Sequence, residues 1–122
     1  KETFYETEGD ANWMGRHFFT GGLMPSADIF SRFPQRFTVK ARWFWDGRHY
    51  KRTANAWLKH LDAHRTEALR ILTRVYGPAE ARRWWNRWRT FFLAVAEMFG
   101  IDHGTEWQVG HYLLEPTRQV RP

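Results

Sequence analysis

The segment from 106 to 114 is apolar on both faces of a strand, and this feature limits the possible folds of the chain more than any other. Successive side chains of a strand point to opposite faces. The apolar residues of the two faces are Trp107, Val109 and Leu113, and Tyr112 and Leu114. Strands of this kind are covered on both sides. The sequence therefore predicts that this strand belongs inside a larger sheet.

A second strand is predicted upstream, between a loop and a turn. Residues 13–26 are interpreted as a loop, and Ser26 as the cap of a short helix over residues 27–33. Apolar and polar residues then alternate over residues 37–45 with the period of a strand. The Asp46-Gly47 pair that follows is typical of a turn.

Long helices are predicted between the two strands. Apolar residues fall at helical spacing over residues 54–76, as one long helix or as two helices that meet near Ala63. Gly77 ends this stretch, and Pro78 suits the first turn of a further helix whose apolar stripe covers residues 84–99. Two strands cannot cover both faces of a sheet, so the pattern predicts the last third of an α/β domain.

Aromatic residues are unusually frequent for 122 residues, with eight Trp and ten Phe. A small core needs fewer, so some of these rings are expected to line a cavity or to face a segment that the sequence lacks. The chain begins at Lys1 with a polar stretch and without Met. We therefore expect one compact unit that is part of a longer protein.

Composition excludes several kinds of chemistry. With no Cys there is no disulfide, no Cys-ligated zinc and no thiol nucleophile. Charged residues interrupt every apolar run before the roughly 20 residues needed to span a bilayer, so a soluble or peripheral protein is expected. Lys and Arg exceed Asp and Glu by 19 to 13, and the net charge of +6 favours contact with a polyanion.

One pair of histidines has the spacing of metal ligands. His60 and His64 lie four residues apart on a predicted helix, with Asp62 between them. Lys59 and Arg65 flank the pair, which is more typical of a solvated helix face. The sequence therefore predicts no metal site.

Arginine and tryptophan alternate at the start of the last predicted helix. The residues are Arg82, Arg83, Arg87 and Arg89, interleaved with Trp84, Trp85 and Trp88. A core helix with a basic outer face is the first interpretation, because the tryptophans continue into the apolar stripe. Contact with an anionic membrane surface is the second, and nucleic acid is the least favoured.

Two further features have open interpretations. The Gly21-Gly22 pair is typical of a turn and lacks the strand-flanked pattern of a nucleotide loop, so no cofactor-binding residue is predicted in this segment. Tyr50 is expected to open the helix that contains Trp57. Its phenol either packs at the helix end or points into a ligand site at the strand end, and the two interpretations are weighted equally.

Four segments, taken together, resemble a known family. They are residues 18–26 (Phe-Phe-Thr-Gly-Gly-Leu-Met-Pro-Ser), His49-Tyr50-x-x-Thr53-x-x-x-Trp57, residues 91–99 (Phe-Phe-Leu-Ala-Val-Ala-Glu-Met-Phe) and Trp107-Gln108-Val109. In order and spacing the chain resembles the C-terminal region of cyclopropane-fatty-acyl-phospholipid and mycolic acid cyclopropane synthases. The match covers residues 13–115, with residues 1–12 as a polar lead-in and residues 116–122 as a tail.

The resemblance implies an α/β fold, the C-terminal portion of a Rossmann-like class I methyltransferase domain, mostly helical with two strands. It implies transfer of the methyl group of S-adenosylmethionine to the double bond of an unsaturated lipid acyl chain. Tyr50 matches the tyrosine that helps hold a bicarbonate ion used as base, which is its implied catalytic role. The cofactor itself would be bound by residues upstream of this chain.

Substrate-binding positions are implied in the same way. Phe91 and Val95 match positions that line an acyl tunnel, and Gly21 and Gly22 would lie near its mouth. Thr20 stands where the family often has Pro, and Val95 where it often has Cys, which leaves open a methyl branch in place of a ring. 

The sequence thus favours part of a lipid-modifying methyltransferase that is inactive alone. Its expected partners are an unsaturated phospholipid or other acyl lipid, an anionic membrane surface and the remainder of the methyltransferase domain. The expected location is cytoplasmic, peripheral at the inner face of the membrane. The alternative is a non-enzymatic module that binds an anionic membrane or nucleic acid through its basic and aromatic residues.

Overall fold

The structure, a computed structural model, describes residues 12–20, 22 and 24–117. Its elements are α1 (Trp13–His17), a 3₁₀ turn (Ile29–Arg32), β1 (Phe37–Asp46), α2 (Gly47–Ala63), α3 (Arg65–Tyr76), α4 (Ala81–Gly100), a second 3₁₀ turn (Ile101–Gly104) and β2 (Gln108–Pro116). The strands pair as a two-stranded antiparallel sheet. The chain divides into two compact units: unit 1 extends to Arg42 and resumes at Tyr112, and unit 2 is Trp43–His111.

The part before β1 differs from the prediction. A helical turn, α1, replaces the start of the predicted loop, because Asn12 caps it by accepting a hydrogen bond from the Gly15 amide at 2.8 Å. The helix predicted over residues 27–33 is reduced to the 3₁₀ turn. Ser26 is not its cap, since the Ser26 hydroxyl donates to the Asp28 carboxylate at 2.6 Å.

The helical stretch predicted over residues 54–76 begins earlier in the structure. It also divides into two helices, which was one of the two predicted arrangements. Asp46 caps α2 by accepting a hydrogen bond from the Arg48 amide at 2.9 Å, so the helix begins at Gly47 and Tyr50 lies in its first turn. His64 has a non-helical φ of −108° and ψ of 32°, and it separates α2 from α3. The prediction of a break near Ala63 is confirmed.

The core of unit 2 lies where α2 and α3 pack against α4. Small and apolar side chains fill it, as the stripe on each helix predicts. The buried residues are Ala54, Leu72, Ala81, Val95, Ala96 and Phe99. Alanine at three of these positions lets the helix backbones approach one another closely.

A glycine makes the tightest approach in unit 2. An added Cβ at Gly47 would lie 2.1 Å from the Phe99 carbonyl oxygen and 2.5 Å from that of Trp107. Both distances are shorter than any real Cβ contact. The first residue of α2 is therefore fixed against the end of α4 and the residue before β2.

Unit 1 has its own aromatic contacts. Phe30 packs against Phe37 and Tyr112, with ring centroids 5.7 and 4.7 Å apart. The Tyr112 hydroxyl donates to the Ala27 carbonyl at 2.8 Å, which attaches the segment before β1 to β2. Lys40 and Glu115 pair across the two strands at 2.6 Å.

The predicted apolar faces of the strands are only partly covered. Residues of β1 alternate between half-buried and exposed as far as Ala41. Trp43, Phe44 and Trp45 are then 52, 40 and 49% exposed, and Leu113 of β2 is 55% exposed. The alternation predicted for β1 is confirmed. The sequence also predicted that the last strand would be covered on both faces, and this cover is not found in the described part of the chain.

Replacement of Gly47 by Ala is expected to destabilise the protein. The added methyl group would overlap two carbonyl oxygens that belong to the backbone, so the free energy of unfolding should fall by about 3 kcal/mol or more. Gly100→Ala is the matched control, because the three atoms nearest to its Cβ would all belong to the flexible Lys51 side chain, and it should change stability by less than about 1 kcal/mol. Urea unfolding measures both, and equal effects would contradict the close approach.

The stabilising contribution of Asp46 is expected to depend on pH. A hydrogen bond from the Arg48 side chain lowers the pKa of Asp46 from 3.8 to about 2. A carboxylate with a depressed pKa stabilises the folded state fully above its ordinary pKa and loses this effect as the pH falls toward the folded value. The urea midpoint of Asp46→Ala should thus lie below that of the wild type at neutral pH, with the difference shrinking between about pH 4 and pH 2. A constant difference over that window would show that the carboxylate charge is irrelevant.

Candidate functional site

Tyr50 lies in the first turn of α2 between two aromatic rings. Its ring contacts Phe99 edge-on, with centroids 4.6 Å apart, and Trp57 at 5.9 Å. Phe99 is buried and Trp57 is 47% exposed. Within the described part of the chain, no hydrogen bond is found for the Tyr50 hydroxyl. The ring is therefore fixed by packing while its hydroxyl has no protein partner there.

A continuous group of rings extends from Tyr50 along α4. We call it the aromatic cluster: Tyr50, Trp57, Trp88, Phe91, Phe92 and Phe99. Trp57 meets Phe92 at 5.9 Å, and Phe92 meets Phe91 at 5.5 Å and Trp88 at 5.8 Å. These distances are typical of edge-to-face and tilted ring pairs. The cluster offers aromatic faces and edges, with the hydroxyl of Tyr50 and the indole N–H groups of Trp57 and Trp88 as its polar groups.

The structure brings together only some of the residues that the sequence singled out. Phe91 belongs to the aromatic cluster and is linked to Tyr50 through Phe92 and Trp57. Val95 is 3% exposed, in the core of unit 2. No comparison tests the roles of these residues, so they stay predictions.

Of the two glycines predicted at the tunnel mouth, Gly22 belongs to unit 1. Gly21 lies outside the described residues. The Gly22 amide donates to the Phe19 carbonyl at 2.8 Å, and a Cβ there would lie 3.0 Å from that oxygen. This geometry is a tight turn, as the sequence predicted, and the role of the pair in substrate binding stays a prediction.

The arginines around α4 are mostly engaged within the protein. Arg65 and Arg89 lie over the Trp85 ring, at 5.1 and 5.0 Å from its centroid. Arg89 also pairs with Asp62 of α2 at 2.7 Å, and this hydrogen bond raises the pKa of the guanidinium. These contacts favour the interpretation of a core helix with a basic outer face.

A second stack is formed at Trp84, the residue that precedes Trp85 on α4. Tyr76 lies parallel to Trp84, with centroids 4.0 Å apart and planes 10° apart, and Arg87 lies over the Trp84 ring at 4.7 Å. Arg83 pairs with Glu80 at 2.9 Å. Cation–π contacts and ion pairs thus occupy faces that a nucleobase or a phosphate would need.

The two histidines contact one another rather than forming an open chelate. The rings of His60 and His64 have centroids 4.1 Å apart, and the His64 Nδ1 lies 2.9 Å from the His60 carbonyl oxygen. Asp62 is paired with Arg89. Across residues 12–20, 22 and 24–117, no three His, Asp or Glu side chains form a group that could hold a metal ion.

The junction of β1 and α2 is a strand-to-helix turn, the kind of place where a nucleotide group binds in α/β domains. Its helix N-terminus is already occupied, because the Asp46 carboxylate accepts from the Arg48 amide. Two backbone carbonyls close the space above Gly47. The junction therefore offers little open space for an adenosyl group.

The contact between Tyr50 and Phe99 was missed by sequence reasoning. Tyr50 and Trp57 are seven residues apart on one helix, so their shared face was predictable from spacing. Phe99 lies on another helix, and no local pattern indicates its proximity to Tyr50. The same holds for Asp62 and Arg89, which are 27 residues apart.

Comparison with known proteins identifies the class of the fold. No protein-family model matches the sequence. Two curated relatives are the (S)-coclaurine N-methyltransferases of Thalictrum flavum subsp. glaucum, 35% identical over 115 residues, and of Papaver somniferum, 31% identical over 114. Pavine N-methyltransferase of the same Thalictrum is 29% identical. Each match covers 91% of this chain and 32% of the relative.

A solved structure gives the same result. The crystal structure of coclaurine N-methyltransferase bound to N-methylheliamine and SAH matches 91% of this chain with a TM-score of 0.77 and 34% identity. The match covers 33% of that protein's chain. The fold of this chain is therefore the C-terminal portion of a Rossmann-like methyltransferase domain, mostly helical with two strands, and this prediction is confirmed.

The comparisons support one part of the family resemblance. The relatives are S-adenosylmethionine-dependent N-methyltransferases, and they correspond to this chain in their C-terminal part. They support the methyltransferase class and give no support to the cyclopropane synthases or to lipid double bonds. The chain spans about a third of the length of the curated relatives it matches.

Two members of the aromatic cluster, Phe99 and Trp57, are expected to differ in how much they stabilise the fold. Phe99→Ala should lower the free energy of unfolding by about 3–5 kcal/mol, because the ring is buried. Trp57→Ala should lower it by only about 1–2 kcal/mol, because half of this ring is already in water. Urea unfolding checks both values. Equal losses would show that Trp57 is a core residue rather than one displayed for a ligand.

Proposed function

We propose that this chain is the C-terminal part of an S-adenosylmethionine-dependent N-methyltransferase that acts on an amine of the alkaloid type. The observation that carries the proposal is the match to the solved N-methyltransferase, since 34% identity accompanies a TM-score of 0.77. The curated relatives, which are all N-methyltransferases, point the same way.

The aromatic cluster suits such a substrate. A neutral amine that accepts the methyl group becomes a cationic ammonium product, which then gives up its proton unless it is quaternary, and aromatic faces attract cations by about 0.5–2 kcal/mol each. Trp57, which is 47% exposed, presents a large ring of this kind beside Tyr50. Flat ring systems also stack on such side chains. The cluster thus supplies recognition for an aromatic amine.

Tyr50 is proposed to orient the reacting group. Its ring is held by Phe99 and Trp57, and its hydroxyl has no partner among the described residues. A fixed phenol can accept a hydrogen bond from an amine or donate one to an oxyanion such as bicarbonate, as the family resemblance implies. In either role it would hold the substrate amine or its base in position for methyl transfer.

The cofactor belongs to the rest of the domain. SAH, which is bound in the solved relative, is what remains of S-adenosylmethionine after the methyl group has left. Because the β1–α2 junction offers little open space for an adenosyl group, residues outside this chain are proposed to hold it. The contribution of this chain is then confined to the substrate.

Methylation of a lipid double bond is the second candidate. The four segments that resemble cyclopropane synthases favour it, and the apolar rings of the cluster, of which Trp57 is exposed, would accept an acyl chain as well as a ring system. This candidate includes an anionic membrane partner and a peripheral location. Among the described residues, no helix is both long enough and apolar enough to cross a membrane.

A non-enzymatic polyanion-binding module is the remaining alternative. It depends on exposed arginines, and the positive net charge is its main support. Arg65, Arg87 and Arg89 instead lie over tryptophan rings, which leaves them less able to reach a phosphate. We therefore place this alternative after both methyltransferase candidates.

A chimaeric enzyme tests the proposed function. In it, the 122 residues of this chain replace the matched third of the solved coclaurine N-methyltransferase. Mass spectrometry should show addition of a methyl group to an alkaloid amine in the presence of S-adenosylmethionine, and no change to unsaturated phospholipid. Methylation of the phospholipid instead would establish the second candidate.

In the same chimaera, Tyr50→Phe should lower kcat/KM for the amine by roughly 10- to 100-fold, as expected for loss of one hydrogen bond to a charged group. Tyr76→Phe is the matched control, because the Tyr76 ring stacks on Trp84 outside the aromatic cluster. It should leave kcat/KM unchanged. An equal effect of both substitutions, or none from Tyr50→Phe, would remove Tyr50 from the proposed site.

A further inference from the structure

An ion pair between Asp62 and Arg89 joins the last turn of α2 to α4. It contains two hydrogen bonds, from Arg89 Nε to Asp62 Oδ1 at 2.7 Å and from Arg89 Nη2 to Asp62 Oδ2 at 3.1 Å. A planar guanidinium that contacts both oxygens of a carboxylate fixes the direction of the contact as well as its distance. The Arg89 guanidinium also lies over the Trp85 ring, at 5.0 Å from its centroid. The end of α2 is therefore held at one defined position on α4.

This ion pair continues the contacts of the aromatic cluster. Three pairs follow one another along the α2–α4 interface: Tyr50 with Phe99, Trp57 with Phe92, and Asp62 with Arg89. Residues three apart on a helix are neighbours on its surface, so Arg89 and Phe92 lie side by side on α4. Asp62 lies about 7.5 Å beyond Trp57 along the axis of α2. The ion pair is thus the polar end of the series of contacts to which Trp57 belongs.

The position of Trp57 depends on the course of α2 more than the position of Tyr50 does. The Tyr50 ring packs at 4.6 Å on a buried ring, whereas the Trp57 ring is 47% exposed and lies 5.9 Å from Phe92. Gly47 fixes the start of α2 close to Tyr50, but it lies ten residues before Trp57. Beyond Trp57 the helix ends where His64 breaks it. The ion pair fixes α2 on this side of Trp57.

We infer that Asp62 and Arg89 are positioning residues, which set the place of the Trp57 ring and through it the affinity for an aromatic amine. This inference rests on the proposed function, in which Trp57 is the exposed ring of the substrate site. Tyr50 is fixed independently, at the other end of α2. Loss of the ion pair therefore weakens substrate binding and leaves the step that involves Tyr50 unchanged.

Steady-state kinetics of the chimaera with the solved coclaurine N-methyltransferase test the inference. Asp62→Asn should raise KM for the amine by roughly 5- to 10-fold and change kcat by less than about 2-fold, as expected when binding shared by the ground and transition states is lost. The melting temperature should fall by no more than about 3 °C, because exposed ion pairs contribute little stability. A purely structural role would lower the melting temperature and kcat, through a smaller active fraction, and leave KM unchanged. That result would overturn the inference.

Arg89→Lys separates the geometry of the pair from its charge, and it supplies the test if Asp62→Asn does not fold. Lysine keeps the positive charge but lacks the planar fork that contacts both carboxylate oxygens, so KM should rise by at least about 3-fold. Together with Asp62→Asn, it should have no larger effect than Asp62→Asn alone, because the pair acts as one unit. If the two single effects multiply instead, the residues act separately and the inference is wrong.

The matched control is Glu97→Gln, which removes a second ion pair between α2 and α4. Glu97 contacts Lys51 at 3.4 Å, in the part of α2 that Gly47 already fixes. KM and kcat should therefore stay within about 2-fold of the unmodified chimaera. An equal rise in KM for Glu97→Gln and Asp62→Asn would show that surface charge, rather than the position of Trp57, controls the affinity.

A measurement on the 122-residue chain separates this inference from the proposed function. In Asp62→Asn, nuclear Overhauser contacts between the Trp57 and Phe92 rings should weaken, whereas those between Tyr50 and Phe99 should persist. Retention of both sets of contacts, or loss of both, would contradict a specific effect on Trp57 whatever the reaction is. If the contacts change as expected and the chimaera methylates no amine, N-methylation fails and the positioning of Trp57 by the ion pair stands.

Discussion

The contact of Gly47 with two backbone carbonyls is the constraint on which unit 2 depends. It fixes the first residue of α2 against the last turn of α4 and against the residue before β2. Because α2 starts there, its first turn presents Tyr50 to Phe99, and the next turns direct Trp57 toward Phe92. A side chain at position 47 would separate these segments. The geometry of the aromatic cluster thus depends on the absence of a side chain at position 47.

The net charge of the sequence suggests one role for the arginines, and their contacts in the folded chain indicate another. A net charge of +6 suggests a polyanion partner, yet arginine side chains lie over Trp84 and Trp85 and pair with Asp62. Arginine stacks well because its guanidinium is planar and weakly hydrated. The cations therefore help to attach α2 and α3 to α4 at the surface. Exposed ion pairs of this kind contribute little stability each, so their effect is to orient the helices.

Periodicity predicted the helices and strands because each of these elements depends on the pattern of residues within it. The alternation in β1, the break near Ala63 and the apolar stripe of α4 are local patterns, and the structure has all three. The start of α2 was predicted too late because one capping side chain, Asp46, decides it. The contacts of Tyr50 with Phe99 and of Asp62 with Arg89 were not predictable, since a single sequence does not show which distant helices meet. The exposure of Trp43 and Trp45 agrees with the aromatic excess of the sequence, because a small core needs fewer rings than this chain has.

Motifs located the chain within a methyltransferase domain more securely than they identified its substrate. The same aromatic cluster offers faces for a cationic amine and apolar surface for an acyl chain, since an indole ring provides both kinds of contact. What separates the two reactions is the nucleophile, a nitrogen lone pair in one case and a double bond in the other. A carbon nucleophile must also lose a proton before its product is neutral, and on our proposal the base that it needs would lie beside the phenol of Tyr50. An amine loses its proton to solvent more easily. The demands on Tyr50 therefore differ between the two candidates, although its surroundings are the same.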